Sequence, residues 1–180
     1  MHEQTESAGG AGAQGEVSAQ AAELDRIAAK LERLAAQRNA LRRAMEQFGD
    51  GFDAKAWAAA YISPGPDDIN RVFAVTGGYL ALVNNTAEAI RAAAKLIGLK
   101  PTSGMSGVSG IVDAIRADGG FTSVQAETFT DLYRTRNRLQ HSSPDIEADE
   151  VHRQVRLLLR HLPGLIKSYL GWLEHHDVEP

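Results

Sequence analysis

Apolar side chains recur every three or four residues along most of the chain, the spacing that places them on one face of an α-helix. The first clear example is a heptad-patterned segment over 24–48. Its seam consists of Leu24, Ile27, Leu31, Leu34, Arg38, Leu41, Met45 and Phe48. Arg38 is the one polar member. The seam predicts a helix that either packs antiparallel inside its own bundle or pairs with a second subunit.

Five further segments show the same helical period. The predicted helices cover 53–61, 66–97, 111–117, 123–139 and 147–173. The Gly77-Gly78 pair inside the third predicted helix indicates close helix packing or a bend, and Pro163 in the last predicts a kink or a break near Arg160. No segment alternates as a β-strand would. The sequence therefore predicts an all-α bundle of four long helices and two short ones, in a single domain over 19–176.

The first segment, residues 1–18, contains almost no large apolar side chain. It cannot bury enough surface to offset the entropy of ordering, so we expect a disordered tail. The segment lacks the basic start and the continuous apolar stretch of a secretory signal. No later window approaches the roughly 20 apolar residues of a membrane helix. These features predict a cytoplasmic protein with no membrane partner.

Three features of the sequence narrow the chemistry. The chain has no cysteine, which excludes disulfides, thiolate metal sites and cysteine nucleophiles. The adjacent histidines His175 and His176 lack an acidic or histidine partner at helical spacing, so no metal site is predicted. The formal net charge is −4, so contact with a polyanion must come from a local patch.

A compact basic cluster lies at the predicted C-terminal end of a helix, over 134–141. It places three arginines and an imidazole within two turns. Arg134, Arg138 and His141 are spaced to share one helix face, and Asn137 stands four residues before His141. Positive side chains at this end also complement the helix dipole. A functional anion site and an ordinary solvated basic face are both compatible with this pattern.

An arginine five residues before a histidine also occurs at Arg156 and His161, but there without an asparagine or a following turn. By contrast, residues 136–141 read Arg-Asn-Arg-Leu-Gln-His and are followed at once by a turn. This segment resembles the signature of HEPN domains, in which an arginine, usually followed by a polar residue, is separated by four to six residues from a histidine. We extend the resemblance over 67–176.

The resemblance implies a bundle of four or five helices that acts as a metal-independent endoribonuclease without a cofactor. Two protomers would bring their motifs together at a dimer interface, and such proteins are typically toxins or phage-defence effectors. Arg136 would stabilise charge on the scissile phosphate, and His141 would move protons. Asn137 would orient the imidazole or hold a phosphate oxygen. Arg134 and Arg138 would recruit backbone phosphates of the RNA by charge.

The resemblance also bears on partners. RNA and a second copy of the chain are expected, together with a possible antitoxin. In the HepT-type branch, whose antitoxins are nucleotidyltransferases, a tyrosine commonly follows one residue after the histidine, whereas here Ser142 and Ser143 follow His141. Modification of a tyrosine at this position is therefore not expected, and the type of antitoxin stays open.

The alternative function is a non-catalytic helical bundle that binds a partner or a nucleotide. Four carboxylates follow the motif at a predicted helix start, where they favour the helix dipole. They are Asp145, Glu147, Asp149 and Glu150. If these groups flanked a cleft they would repel RNA, which favours the alternative.

Overall fold

The structure is a computed structural model that describes residues 9–105, 107–141 and 146–178, with side chains from residue 21 onward. Within these ranges the chain forms six α-helices and no β-strand. The helices are α1 (Gly9–Glu46), α2 (Ala54–Ile62), α3 (Pro66–Ile97), α4 (Gly107–Ala117), α5 (Ser123–Gln140) and α6 (Ala148–His175). In this part of the chain, none of the helices is both long enough and apolar enough to cross a membrane. The predicted all-α class and the six helices are confirmed.

Helix α1 begins at Gly9, ahead of the heptad segment. Residues 1–8 of the predicted disordered tail lie outside the described residues. Residues 9–23 contain five alanines, which favour a helix, and four glycines, which do not. The heptad segment covers only the second part of α1.

The seam of α1 packs inside the chain. Leu34, Leu41 and Phe48 are fully buried in the common core. Lys30 on α1 pairs with Glu88 on α3, whereas Leu41 lies against Gly78, so the two helices run antiparallel. Of the two arrangements that the sequence left open, the structure has the intramolecular one.

The glycine pair of α3 has two different environments. A Cβ placed on Gly78 would lie 3.2 Å from Leu41 Cδ1, so α1 and α3 approach closely at this point. At Gly77 no atom lies within 4 Å of such a Cβ. The predicted close packing is thus a property of Gly78 alone.

Side-chain caps define the starts of two helices. Asp53 accepts from the backbone N–H of Ala56 at the start of α2. Thr122 and Gln125 form a reciprocal capping box at the start of α5, at 3.2 and 2.9 Å. This capping box sets where α5 begins and so the position of its C-terminal motif.

Two predicted details differ in the structure. A kink or a break was predicted near Arg160, and the break is absent because helix α6 continues through Pro163. Leu162 and Leu165 are both buried on either side of the proline, and their packing holds the helix together despite the missing hydrogen bond. Helix α4 starts at Gly107, four residues earlier than its apolar pattern predicted.

One end of the bundle gathers the parts that surround the motif. The Trp57 indole of α2 donates to the carbonyl of Ala148 at the start of α6, at 2.8 Å. Arg138 near the end of α5 pairs with Glu150 in the first turn of α6. The last turn of α5, the first turn of α6 and helix α2 therefore lie together.

Glycine substitutions provide a test of the packing. A Cβ on Gly120 would lie 2.5 Å from Ile115 Cγ2 and 2.6 Å from Trp172 Cγ. We expect Gly120→Ala to lower the free energy of unfolding by about 1–3 kcal/mol through overpacking. Gly77→Ala, the matched change at an open helical position, is expected to raise it by about 0.5–1 kcal/mol. Urea unfolding followed by circular dichroism measures both, and equal effects of the two substitutions would contradict this packing.

Candidate functional site

Tyr79 of α3 anchors α5 one turn before the motif. Its hydroxyl donates to the backbone carbonyl of Leu132 at 2.8 Å, and the buried Thr135 also bonds to it. Burial raises the pKa of Tyr79 well above its ordinary value, and the nearby carboxylates of Asp131 and Glu150 act in the same direction. The neutral phenol therefore remains a donor at any ordinary pH, and the position of Arg136 along α5 is fixed against α3.

Arg136 is half-buried, and two neighbours on its own helix hold it. Its Nη1 donates to Asn137 Oδ1 at 2.7 Å, and its guanidinium carbon lies 5.5 Å from the centroid of the Tyr133 ring. Its Nε is buried and has no hydrogen-bond partner among the described residues. Within that part of the chain no carboxylate pairs with Arg136. The guanidinium is thus oriented without being neutralised.

A second guanidinium from another helix lies near the same ring. Arg91 of α3 lies 6.0 Å from the Tyr133 centroid, and its Nη2 donates to the Tyr133 hydroxyl at 3.3 Å. Arg91 could not be recognised from the sequence, because no local motif marks it and only the packing of α3 on α5 brings it to Tyr133. Arg91 and Arg136 together concentrate positive charge on one side of α5.

His141 forms the C-terminal cap of α5. Its backbone N–H donates to the carbonyl of Asn137 at 3.1 Å, and the residue is exposed. Among the described residues, the imidazole has no hydrogen-bond or ion-pair partner. Residues 142–145, which follow it, lie outside the described chain.

Helix geometry separates the two principal residues of the motif. Positions five apart on an α-helix differ by about 140° around the axis, so Arg136 and His141 do not share a face. Asn137 lies only about 40° from His141 and is also bonded to Arg136. Asn137 is therefore the residue that connects the guanidinium side of α5 to the imidazole side.

The other two arginines of the motif pair with acidic groups. Arg134 is exposed and lies 3.7 Å from Asp131, and Arg138 pairs with Glu150 of α6. Asp131 also accepts from the amide of Gln154 at 2.6 Å. Exposed pairs such as that of Arg134 contribute about 0–1 kcal/mol, so a phosphate can replace the carboxylate at small cost. The charge predicted to recruit RNA is present, but carboxylates partly balance it.

Unlike His141, the C-terminal His176 has side-chain partners. His176 Nε2 lies 2.6 Å from Asp118 Oδ2, to which the Trp172 indole also donates at 2.7 Å. The bond from Trp172, followed by that from His176, lowers the pKa of Asp118 below its ordinary value. In the described ranges no three histidine, aspartate or glutamate side chains are grouped as metal ligands would be. His176 therefore supports the end of α6.

Comparison of the chain with family models, with curated proteins and with solved structures found no match. An oriented half-buried arginine, an asparagine that holds it and an exposed histidine lie within six residues at one helix end.

The Tyr79 anchor can be tested directly. Tyr79→Phe removes a buried hydrogen bond between α3 and α5, so we expect the free energy of unfolding to fall by about 1 kcal/mol. Tyr61→Phe is the matched control, because no described residue bonds to the Tyr61 hydroxyl, and we expect a change below about 0.5 kcal/mol. Chemical denaturation of both variants gives the comparison. A Tyr79→Phe variant as stable as the wild type would show that this bond does not hold α5.

Proposed function

We propose that this chain is a metal-independent endoribonuclease of the HEPN type that acts as a homodimer and serves as a toxin or phage-defence effector. The observation that carries the proposal is the state of Arg136. Its guanidinium is half-buried, held by Asn137 and not paired with any described carboxylate. An arginine kept in this way is available to a phosphate.

The proposed reaction needs proton transfer and charge stabilisation. The RNA 2′-oxygen attacks the adjacent phosphorus while a general base takes its proton, and the bond from phosphorus to the 5′-oxygen breaks as an acid protonates the leaving oxygen. The products are a 2′,3′-cyclic phosphate and a 5′-hydroxyl. His141 serves as the acid or base, and Arg136 stabilises the charge that builds on the phosphate oxygens. Asn137 positions Arg136.

One subunit supplies one such histidine, whereas the reaction uses both a base and an acid. A two-fold arrangement doubles the groups and places one His141 on each side of the scissile phosphate. Arg136 and His141 of one helix point to different sides. In a dimer, Arg136 of one subunit can act together with His141 of the other. The mechanism therefore favours a dimer.

An exposed apolar surface supports this assembly. It consists of Ile62 at the end of α2 and of Ile69 and Phe73 on α3, and we call it the α2–α3 apolar surface. Ile62 is 75% exposed and Phe73 is 69% exposed. Ile69 and Phe73 lie one turn apart on α3, and exposed apolar patches commonly mark an interface. The α2 part of this surface lies at the motif's end of the bundle, because the Trp57 indole donates to Ala148 at the start of α6, where Glu150 pairs with Arg138.

The ion pairs favour a second candidate function. Arg134 and Arg138 both pair with carboxylates, as arginines of a non-catalytic bundle do. On this alternative the protein binds a partner or a nucleotide, and the basic cluster stabilises α5 against α6. Loss of His141 should lower RNA cleavage if the protein is a ribonuclease and should have no such effect if it is a binding protein.

We expect purified protein to cleave RNA in the presence of EDTA and to leave cyclic phosphate ends. His141→Ala should reduce the rate by about 10²-fold or more, since proton transfer typically contributes that much. Arg136→Ala should reduce it by about 10²- to 10³-fold, as the loss of a charge-stabilising donor does. Rates from end-labelled RNA, together with growth on induced expression, provide the measurement.

His175→Ala and Arg43→Ala are matched controls, because each removes an exposed residue of the same type away from the motif. Both should cleave as the wild type does. If the protein leaves RNA intact, or if all four variants retain full activity, the ribonuclease proposal fails and the binding function is favoured.

The dimer is tested at the α2–α3 apolar surface. Introducing charge with Ile62→Glu and Phe73→Glu together should convert a dimer into monomers and abolish cleavage, because a buried unpaired carboxylate disfavours association. Val124→Glu with Leu170→Glu is the matched control, since these exposed apolar residues lie elsewhere. Analytical ultracentrifugation gives the mass. A wild type that cleaves RNA as a monomer would contradict the proposed assembly.

A further inference from the structure

A second basic region lies on the far side of α6 from the motif. Gln154 and Glu150 of α6 point towards α5, where they meet Asp131 and Arg138. On the opposite side, α6 and the turn after α1 enclose an open cleft of about 560 Å³. Its charged lining residues are Arg42, Arg156, Arg160, Glu46 and Asp50.

The arginines of this cleft differ from those around the motif. Within the described chain, Arg42, Arg156 and Arg160 form no ion pair, whereas Arg134 and Arg138 each have a carboxylate. Arg156 and Arg160 are exposed and lie one turn apart on α6. The two carboxylates of the cleft, Glu46 and Asp50, both lie on the α1 side. The α6 wall is therefore positively charged and uncompensated.

The opposite wall carries the Glu46 and Asp50 side chains and includes a turn with two glycines. Gly49 and Gly51 take positive φ angles, and Phe52 does so as well at 63°. His152 of α6 holds this turn, because its ring stacks on that of Phe52 at 4.5 Å and its Nε2 lies 2.7 Å from the Phe52 carbonyl. The cleft is thus preformed, and its glycines permit close approach of a ligand.

We propose that this cleft, lined by Arg42, Arg156 and Arg160, binds the phosphodiester backbone of RNA at a distance from the cleaved bond. The proposal rests on RNA being the substrate of the proposed function. Guanidinium groups fork onto phosphate oxygens and remain charged at every physiological pH. An open cleft with fixed walls suits a chain of phosphates that runs through it better than a small enclosed ligand. Binding here extends the contact with RNA to a second face of the bundle.

The test uses binding without cleavage. Protein carrying His141→Ala is titrated with a fluorescent single-stranded oligoribonucleotide of about 20 nucleotides over a range of salt concentrations. Adding Arg156→Gln and Arg160→Gln should weaken binding about tenfold at low salt. The slope of log affinity against log salt should decrease by about 1.4, or about 0.7 per lost phosphate contact.

Two matched variants show whether the position of the charge matters or only its amount. Arg33→Gln with Arg43→Gln removes the same charge from exposed positions of α1 outside the cleft, so affinity should stay within about twofold. Glu46→Gln with Asp50→Asn removes the opposing charge and should strengthen binding several-fold. Stronger binding in this variant also distinguishes a charge effect from misfolding, because misfolding would weaken binding in every variant.

Equal losses in the two arginine pairs would overturn the proposal, because net charge alone would then account for binding. Unchanged affinity in the Arg156→Gln, Arg160→Gln protein would overturn it as well. The binding assay does not depend on nuclease activity. RNA binding that depends on the cleft, in a wild type that never cleaves RNA, would refute the proposed function and leave the cleft assignment intact.

Discussion

The structure depends on the central position of α3, against which every other helix packs. A helix surrounded in this way must be narrow where its neighbours are closest. Small side chains meet this requirement along its second half, including Ala87, Ala89 and Ala93, all of which are buried. Larger residues such as Tyr79 and Leu82 fill the wider spaces between neighbours. Because α1 and α5 both lie on α3, its side chains determine where the motif at the end of α5 is placed.

The local features of the fold were predictable from the sequence, because local interactions produce them. Pro66 marks the start of α3, and the spacing of apolar residues in α6 identifies its buried face. Each of these features depends on residues only a few positions apart. The course of α6 through Pro163 was not predictable. It depends on the burial of Leu162 and Leu165 among side chains from other helices, and helix periodicity contains no information about them.

In the candidate site, too, features set by neighbouring residues were predictable and features set by tertiary packing were not. The sequence identified Arg136, Asn137 and His141, because they lie close together on one helix. It did not identify Arg91, which reaches Tyr133 only through the packing of two helices. Nor did it indicate that Arg136 and Asn137 are bonded to each other. Which arginines have carboxylate partners is likewise a property of the tertiary arrangement.

The contact between Gly78 and Leu41 has a consequence for sequence variation. The two residues occupy one shared volume, because a Cβ on the glycine would lie 3.2 Å from the leucine methyl group. A larger residue at Gly78 fits only if the Leu41 side chain moves or becomes smaller. Among homologous chains these two positions should therefore vary together, although 37 residues separate them in sequence. Their covariation would report the antiparallel pairing of α1 with α3 even where the basic motif has been lost.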